Sequence, residues 1–298
     1  MTIHGEILGA TIATPDIGLA IADYRDVLGL QLVEQVPLSA DIARSWVRPR
    51  LAGRASATLR PASGADCAIR LVEQPVPQGY RPTTTFGWNA FEISVQRVFE
   101  WPAKLEASGF EIVGPPKEIE GLPYFVAMQV VGRGGEMLYL NEVRSNTPTS
   151  DLPAAQSISD RVFIVILGVS DFEQALGWYT SALGLDEGGR YEIVYSMINR
   201  AFDLPEVTKH RLAMAQKGRM PIVEIDAYPP AATARSGDPG LLPAGNALVS
   251  LAVESLDALS VDWLSPPANL PGLPYAGARA ATCIGPGGEL LELIERAG

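Results

Sequence analysis

The chain has 298 residues, 47% of them apolar, with a formal net charge of −11, two histidines and two cysteines. Such an acidic balance disfavours nucleic acid and anionic membrane surfaces, which attract basic patches. Two cysteines, one in each half, argue against a disulfide framework and offer no metal-ligand spacing. The N-terminal Met1-Thr-Ile-His-Gly-Glu6 shows no basic run before an apolar core, and no stretch reaches the ~18 apolar residues of a membrane span. A cytoplasmic protein is the expectation.

Ile7 to Thr14 is apolar and β-branched, which predicts a strand. Asp16 predicts a helix cap, with Leu19, Ala20, Tyr24, Val27 and Leu28 on one helical face and Gly29 just past the end. Residues 57–60 and 68–73 read as strands. The alternation in Phe91-Glu-Ile-Ser-Val95 predicts a strand with one packed face. Phe99 to Ala107 predicts a helix stopped by Gly109, and 125–131 and 137–140 follow as strands. Residues 161–169 predict another strand, and Asp171 caps a helix ending at Gly184. Residues 191–197, 211–215 and 222–227 are strand-like. The stretch 231–245, rich in Pro and Gly, predicts a long loop, often a functional element. Leu248 to Val253 predicts a strand, and Leu256, Leu259 and Trp263 sit at helical spacing after it.

This order is written twice. Asp16 to Leu30 lines up with Asp171 to Leu185 at an offset of 155, sharing the pattern Asp-(x7)-Tyr-(x3)-Leu-Gly-Leu. Gly121-Leu-Pro-Tyr124 recurs as Gly272-Leu-Pro-Tyr275 at an offset of 151. Gly132-Arg-Gly-Gly-Glu136 recurs as Gly285-Pro-Gly-Gly-Glu289 at an offset of 153. Three matches in order at nearly one offset argue for tandem duplication. The expected division is a domain at 1–145, a polar, proline-containing linker at 146–157 and a second domain at 158–298. Strand, helix, then strands, four times over, is an α+β plan.

The helix motif, the Gly-Gly-Glu turn before each half's last strand and the four repeated units resemble the vicinal oxygen chelate superfamily, which includes glyoxalase I, bleomycin-resistance proteins and extradiol dioxygenases. The resemblance covers nearly the whole chain. It implies four βαβββ units forming two tandem glyoxalase-like domains with cup-shaped mixed sheets, one cup per half. It also implies four metal-facing positions per cup. In the N-terminal half these are Gly9, Arg70, Ala90 and Tyr139, a degenerate cup; in the C-terminal half they are Ile164, Glu224, Leu248 and Glu292, the candidate active cup. The family's usual histidines are missing from these positions. Ring-cleaving iron chemistry, which needs two of them, is disfavoured. No tight cofactor is expected. The metal chemistry left open is a weakly held divalent ion on Glu224 and Glu292 with waters.

Glu224 and Glu292 lie in otherwise apolar strands, Pro221-Ile-Val-Glu-Ile225 and Leu290-Leu-Glu-Leu-Ile294. The resemblance turns both into the C-terminal cup, where burial raises a carboxyl pKa and a close pair makes a general acid and base. A half-exposed sheet with both in solvent is the plain alternative. Arg70 in its strand calls for an anionic ligand or for Glu92 as a structural partner. Tyr124 and Tyr275, from the duplicated Gly-Leu-Pro-Tyr, are candidates for the cup mouths or for turn and core. Tyr139, Trp46, Tyr195 and Tyr228 are candidates for an aromatic wall. His4 and His210 read as peripheral, His210 as a lone surface histidine. No phosphate loop, Ser-centred elbow or Cys/His nucleophile pattern is present.

Two functions stay open. One is a lyase or isomerase that moves a proton with Glu224 and Glu292 beside the carbonyl of a small organic substrate. The other is a metal-free module that sequesters a hydrophobic or aromatic small molecule, as bleomycin-resistance proteins do. The ligand expected is small and organic in both cases. Homodimerisation is compatible with base rates and no motif argues for it.

Overall fold

A computed structural model describes residues 4–119 and 122–296. The first unit contains strands β1 (Ile7–Thr14), β2 (Gln31–Pro37), β3 (Ala55–Arg60) and β4 (Ala68–Glu73), with helices α1 (Ile17–Ala22) and α2 (Ala40–Ser45) flanking β2. The second contains β5 (Gly87–Val95), β6 (Glu111–Ile119), β7 (Leu122–Val131) and β8 (Met137–Val143), with α3 (Trp101–Leu105) after β5. The third contains β9 (Ser159–Val169), β10 (Asp186–Val194), β11 (Lys209–Lys217) and β12 (Met220–Ala227), with α4 (Phe172–Ser181) and α5 (Ser196–Ala201) flanking β10. The fourth contains β13 (Gly245–Val253), β14 (Ala268–Asn269), β15 (Arg279–Ile284) and β16 (Leu290–Glu295).

The caps follow the sequence. The Asp16 carboxylate accepts from the Leu19 amide at 2.9 Å and Asp171 from the Gln174 amide at 3.0 Å. Gly29 takes φ +76°, and a Cβ there would overlap the Ile158 side chain. Two expectations fail. Residues 191–197 do not stay extended, since β10 ends at Val194 and Tyr195 opens α5. The stretch holding Leu256, Leu259 and Trp263 forms turns instead of a helix. Trp263 there bridges Cys283, and the Leu256 amide is tied to Glu295 at 3.2 Å.

Two eight-stranded sheets result. Their orders are β14-β15-β16-β13-β1-β4-β3-β2 and β10-β11-β12-β9-β5-β8-β7-β6. The first and fourth units therefore share one sheet, and the second and third share the other. This corrects the expectation of one cup per half. Pairing runs β1 against β13 and β5 against β9, both antiparallel. Strands β1, β5 and β13 are buried at every position, because each is covered on both faces. One continuous core joins α1, α3 and α4 to one face of both sheets, with Ile12, Leu71, Val249 and Leu293 from one and Phe91, Leu140, Val165 and Val223 from the other. The opposite face of each sheet is the inside of a cup.

The duplicated motifs lock the sheets together. The Tyr24 hydroxyl from α1's extension donates to Glu136 of the second unit at 2.9 Å. Tyr179 in α4 donates to Glu289 of the fourth unit at 2.7 Å. Each glutamate also accepts a backbone amide of its own turn, Gly134 at 2.9 Å and Gly287 at 2.7 Å. Since the paired units lie in different sheets, each bond crosses from one sheet to the other. Trp88 in β5 adds a third crossing, donating to the Leu290 carbonyl at 2.7 Å.

Candidate functional site

The first cup, built on β1 and β13, is filled by the protein itself. Ser39 caps α2, its hydroxyl accepting from the Ile42 amide at 3.2 Å, and the helix delivers Trp46 across the sheet. Leu8, Leu38, Ile42, Leu51, Leu248 and Ile294 pack with it. Glu292 lies beneath with 0% exposure. One of its oxygens accepts from Trp46 Nε1 at 2.8 Å and Tyr275 Oη at 2.9 Å, the other from Ser250 Oγ at 2.6 Å. Burial raises the Glu292 pKa, opposed by these donors and by the Arg70 charge. The Arg70 guanidinium sits 5.6 Å from the Trp46 ring centre and 5.1 Å from that of Tyr275. It donates to Tyr275 Oη at 3.0 Å and to the Leu273 carbonyl. Four sequence candidates thus meet here, Arg70, Glu292, Tyr275 and Trp46, as a sealed polar plug.

The second cup, built on β5 and β9, holds the remaining acids. Alternation on β5, β8 and β12 turns Glu92, Tyr139 and Glu224 inward, and with them Asn141 and Asp226. Tyr195 at the start of α5 and Tyr228 after β12 close over them. Glu92 and Glu224 are each 8% exposed and Asp226 1%. Asn141 Nδ2 donates to Glu92 at 2.6 Å. Tyr195 Oη lies 3.2 Å from both Glu224 Oε1 and Tyr139 Oη, so its single proton serves one of them at a time. Neither Asp226 oxygen finds a donor. Its polar neighbour is Glu224, and two carboxyl groups can bond only if one carries a proton.

Burial pushes the Glu224 carboxyl up to about 7, with the Tyr195 and Asp226 contacts opposing. Glu92 and Asp226 are raised well above the usual carboxylate range, first by burial and then by the charge of Glu224. Among the described residues no lysine or arginine bonds to any of the three. Ionising all three together in a low-dielectric hollow is costly, so they do not all carry charge at once.

Glu224 and Glu292 therefore occupy different sheets. The shared hollow expected for them does not exist, and they cannot hold one ion between them. Arg70 and Glu92 are likewise in different sheets, so neither is the other's partner. Tyr124 shares strand parity with Val126 and Met128 on β7, on the face away from the cup; its motif partner Gly121 lies outside the described residues. His210 is not a surface residue. It is 8% exposed and its Nε2 lies 2.6 Å from Asn199 Oδ1. Sequence reading missed Asp226 and Asn141, although each stands two residues beyond a singled-out position, at Glu224 and Tyr139, where alternation carries it to the same face.

A metal of the histidine–glutamate kind does not fit either cup. With the cups as built, the first offers Gly9, Arg70, Leu248 and Glu292, the second Ala90, Tyr139, Ile164 and Glu224. In the first a guanidinium stands where a ligand is needed, and the one carboxylate already accepts three hydrogen bonds. The second lacks nitrogen donors, and among the described residues no three acidic, histidine or cysteine side chains converge as a metal site. Among the described residues no helix is long and apolar enough to cross a membrane.

No curated protein matches the sequence. Glyoxalase I from Zea mays superposes with a TM-score of 0.63 at 18% identity, covering 97% of this chain and 92% of that one. A dioxygenase-family protein from Bacillus subtilis does so with a TM-score of 0.63 at 11% identity, covering 99% and 86%. At such identities the likeness speaks for the fold. Residues 7–130 match the model of the Glyoxalase/Bleomycin resistance protein/Dioxygenase superfamily. The likeness to that superfamily is thus one of sequence over residues 7–130 and of fold over nearly the whole chain.

Proposed function

We infer that the second cup binds a small organic molecule carrying a basic nitrogen beside an aromatic or apolar body, and that the protein sequesters it without a metal. One observation carries this reading. Glu92, Glu224 and Asp226 are buried together among three tyrosines, and among the described residues no basic side chain bonds to them. A cation entering this hollow gives the acids the counter-charge they lack, and the Tyr139, Tyr195 and Tyr228 rings offer it π faces. Binding then requires ionised Glu224. With that carboxyl near pH 7 in the free protein, affinity for a permanently charged ligand falls about tenfold per pH unit below ~6.5 and levels off above ~7.5.

The test is titration calorimetry with benzyltrimethylammonium, whose charge does not change with pH. We expect saturable binding, proton release on binding at pH 6, and at least about a tenfold loss in Glu224→Gln. Equal affinity at pH 5.5 and 8 refutes the reading.

A second reading is favoured by the near-neutral Glu224 with Asp226 alongside. That arrangement suits a general base for a lyase or isomerase acting next to a carbonyl. Tyr195 would then donate to the developing oxyanion. Deuterium exchange at carbon in a panel of ketones and 2-oxoacids, abolished in Glu224→Gln while ligand binding persists, separates catalysis from sequestration.

A further inference from the structure

We propose that a second cleft, at the junction of the two sheets, binds a small organic anion whose carboxylate or phosphate sits against Arg48. The cleft encloses about 300 Å³. The loop between β12 and β13 forms one wall, and the start of β5 with the Gly287-Gly288 turn forms the other. Phe86, Leu241 and Leu242 supply apolar surface for the body of a ligand. None of the cup acids Glu92, Glu224 and Asp226 lines this cleft, so the two sites can be tested separately.

The charge of the walls carries the argument. Arg235 holds the loop in place by donating to Thr85 Oγ1 at 2.9 Å, to the Asn246 carbonyl at 2.9 Å, to the Ala244 carbonyl at 3.2 Å and to the Trp88 carbonyl at 2.7 Å. Its guanidinium lies 5.6 Å from the Tyr80 ring centre. Every one of those acceptors is neutral. Arg48 is less satisfied. Its Nε is buried with no acceptor, and Nη1 donates only to the carbonyl of the preceding Val47, at 3.1 Å. The acids of the cleft are engaged elsewhere. Asp238 pairs with Arg50 and accepts the Gly240 amide at 2.8 Å. Glu289 accepts Tyr179 Oη at 2.7 Å and the Gly287 amide at 2.7 Å.

In a chain of net charge −11, two guanidinium groups facing one hollow without a carboxylate partner need a reason. A partly enclosed charge is costly unless a counter-charge meets it. An oxyanion meets it with charge-assisted hydrogen bonds, and a guanidinium edge matches carboxylate and phosphate geometry.

Amide NMR of the full chain, titrated with benzoate and separately with phenyl phosphate, tests this, with neutral benzamide as control. At least one anion should saturate, with the largest shifts at Gly87, Gly237, Gly287 and Gly288, and benzamide should not. Arg48→Met should weaken that anion at least about tenfold, while Glu224→Gln leaves it unchanged. The two anions distinguish a carboxylate from a phosphate ligand. The proposal fails if neither anion binds, if benzamide binds as well, or if Arg48→Met folds and binds normally. Should Arg48→Met not fold, the wild-type shift map decides, and shifts centred away from the loop and the Gly287-Gly288 turn overturn the site.

Discussion

Replacing Glu292 by alanine should cost about 3–6 kcal/mol of stability and leave ligand binding in the second cup intact. The carboxylate has 0% exposure and accepts from Trp46 at 2.8 Å, Tyr275 at 2.9 Å and Ser250 at 2.6 Å. Its loss strands three buried donors at about 1–3 kcal/mol each, and removes the carboxylate charge that Arg70 faces. The Tyr275 and Ser250 hydroxyls can rotate toward other acceptors, which keeps the sum below the full ~9 kcal/mol; the Trp46 indole cannot. Glu292→Gln retains one acceptor oxygen for Trp46 and Tyr275 and should cost only about 1–2 kcal/mol. Urea unfolding measures both variants, and calorimetry with benzyltrimethylammonium measures the cup. An alanine variant of unchanged midpoint, or one that folds normally yet loses the ligand, would show that Glu292 serves a site and not a plug.

Tyr24→Phe and Tyr179→Phe each remove one hydrogen bond between the sheets, and each should lower the unfolding free energy by about 1–2 kcal/mol. The double variant should be additive, since the two bonds share no residue; a synergistic loss in urea melts would mean the bonds act as one unit. Stability should also fall as pH rises. Burial pushes Glu136 and Glu289 up to about 7 each, so the folded chain holds protons that the unfolded chain releases near pH 4.5. Their contribution is whole below ~4.5 and lost through ~7, on the order of 3 kcal/mol per group. Urea midpoints between pH 5 and 8 should therefore decline, and a rising series contradicts this account. Gly134→Ala should cost about 2–4 kcal/mol, because its Cβ would overlap the Ala13 carbonyl oxygen, a backbone atom of the neighbouring sheet; a thermal melt matching wild type would refute the close approach.

Much of the architecture was legible because it is local. Helix caps at Asp16 and Asp171, the glycine stops and the strand at 68–73 all follow from short-range chemistry. So did strand phase, which turned Glu224 and Glu292 inward as expected. Partner choice was not legible. Strands β1 and β9 bury the same faces whether their unit pairs within its own half or with one from the other half, so the apolar pattern is identical for both. The shared hollow failed on that point alone. α5 escaped notice because Tyr191 to Met197 alternates like a strand up to the residue where the chain turns. The missing helix after β13 shows the converse, with helical spacing overruled where the chain meets Pro266-Pro267 and Trp263 bridges Cys283.

The two glutamates hold like places, each in the last strand of its unit and each facing a cup, and their fates separate the two cups. Around Glu292 the chain has gathered an indole, a phenol, a serine hydroxyl and a guanidinium, which saturate the carboxylate and exclude solvent. Around Glu224 it has placed one shared phenol and a second, donorless carboxyl. A fold's own stability favours the first arrangement, since buried acids without donors destabilise it. Keeping Glu92, Glu224 and Asp226 together in the second cup costs stability that the first cup avoids, with the same strand geometry available to both. That contrast within one chain is the strongest physical reason to look for the ligand on Glu224, and to treat Glu292 as part of the frame.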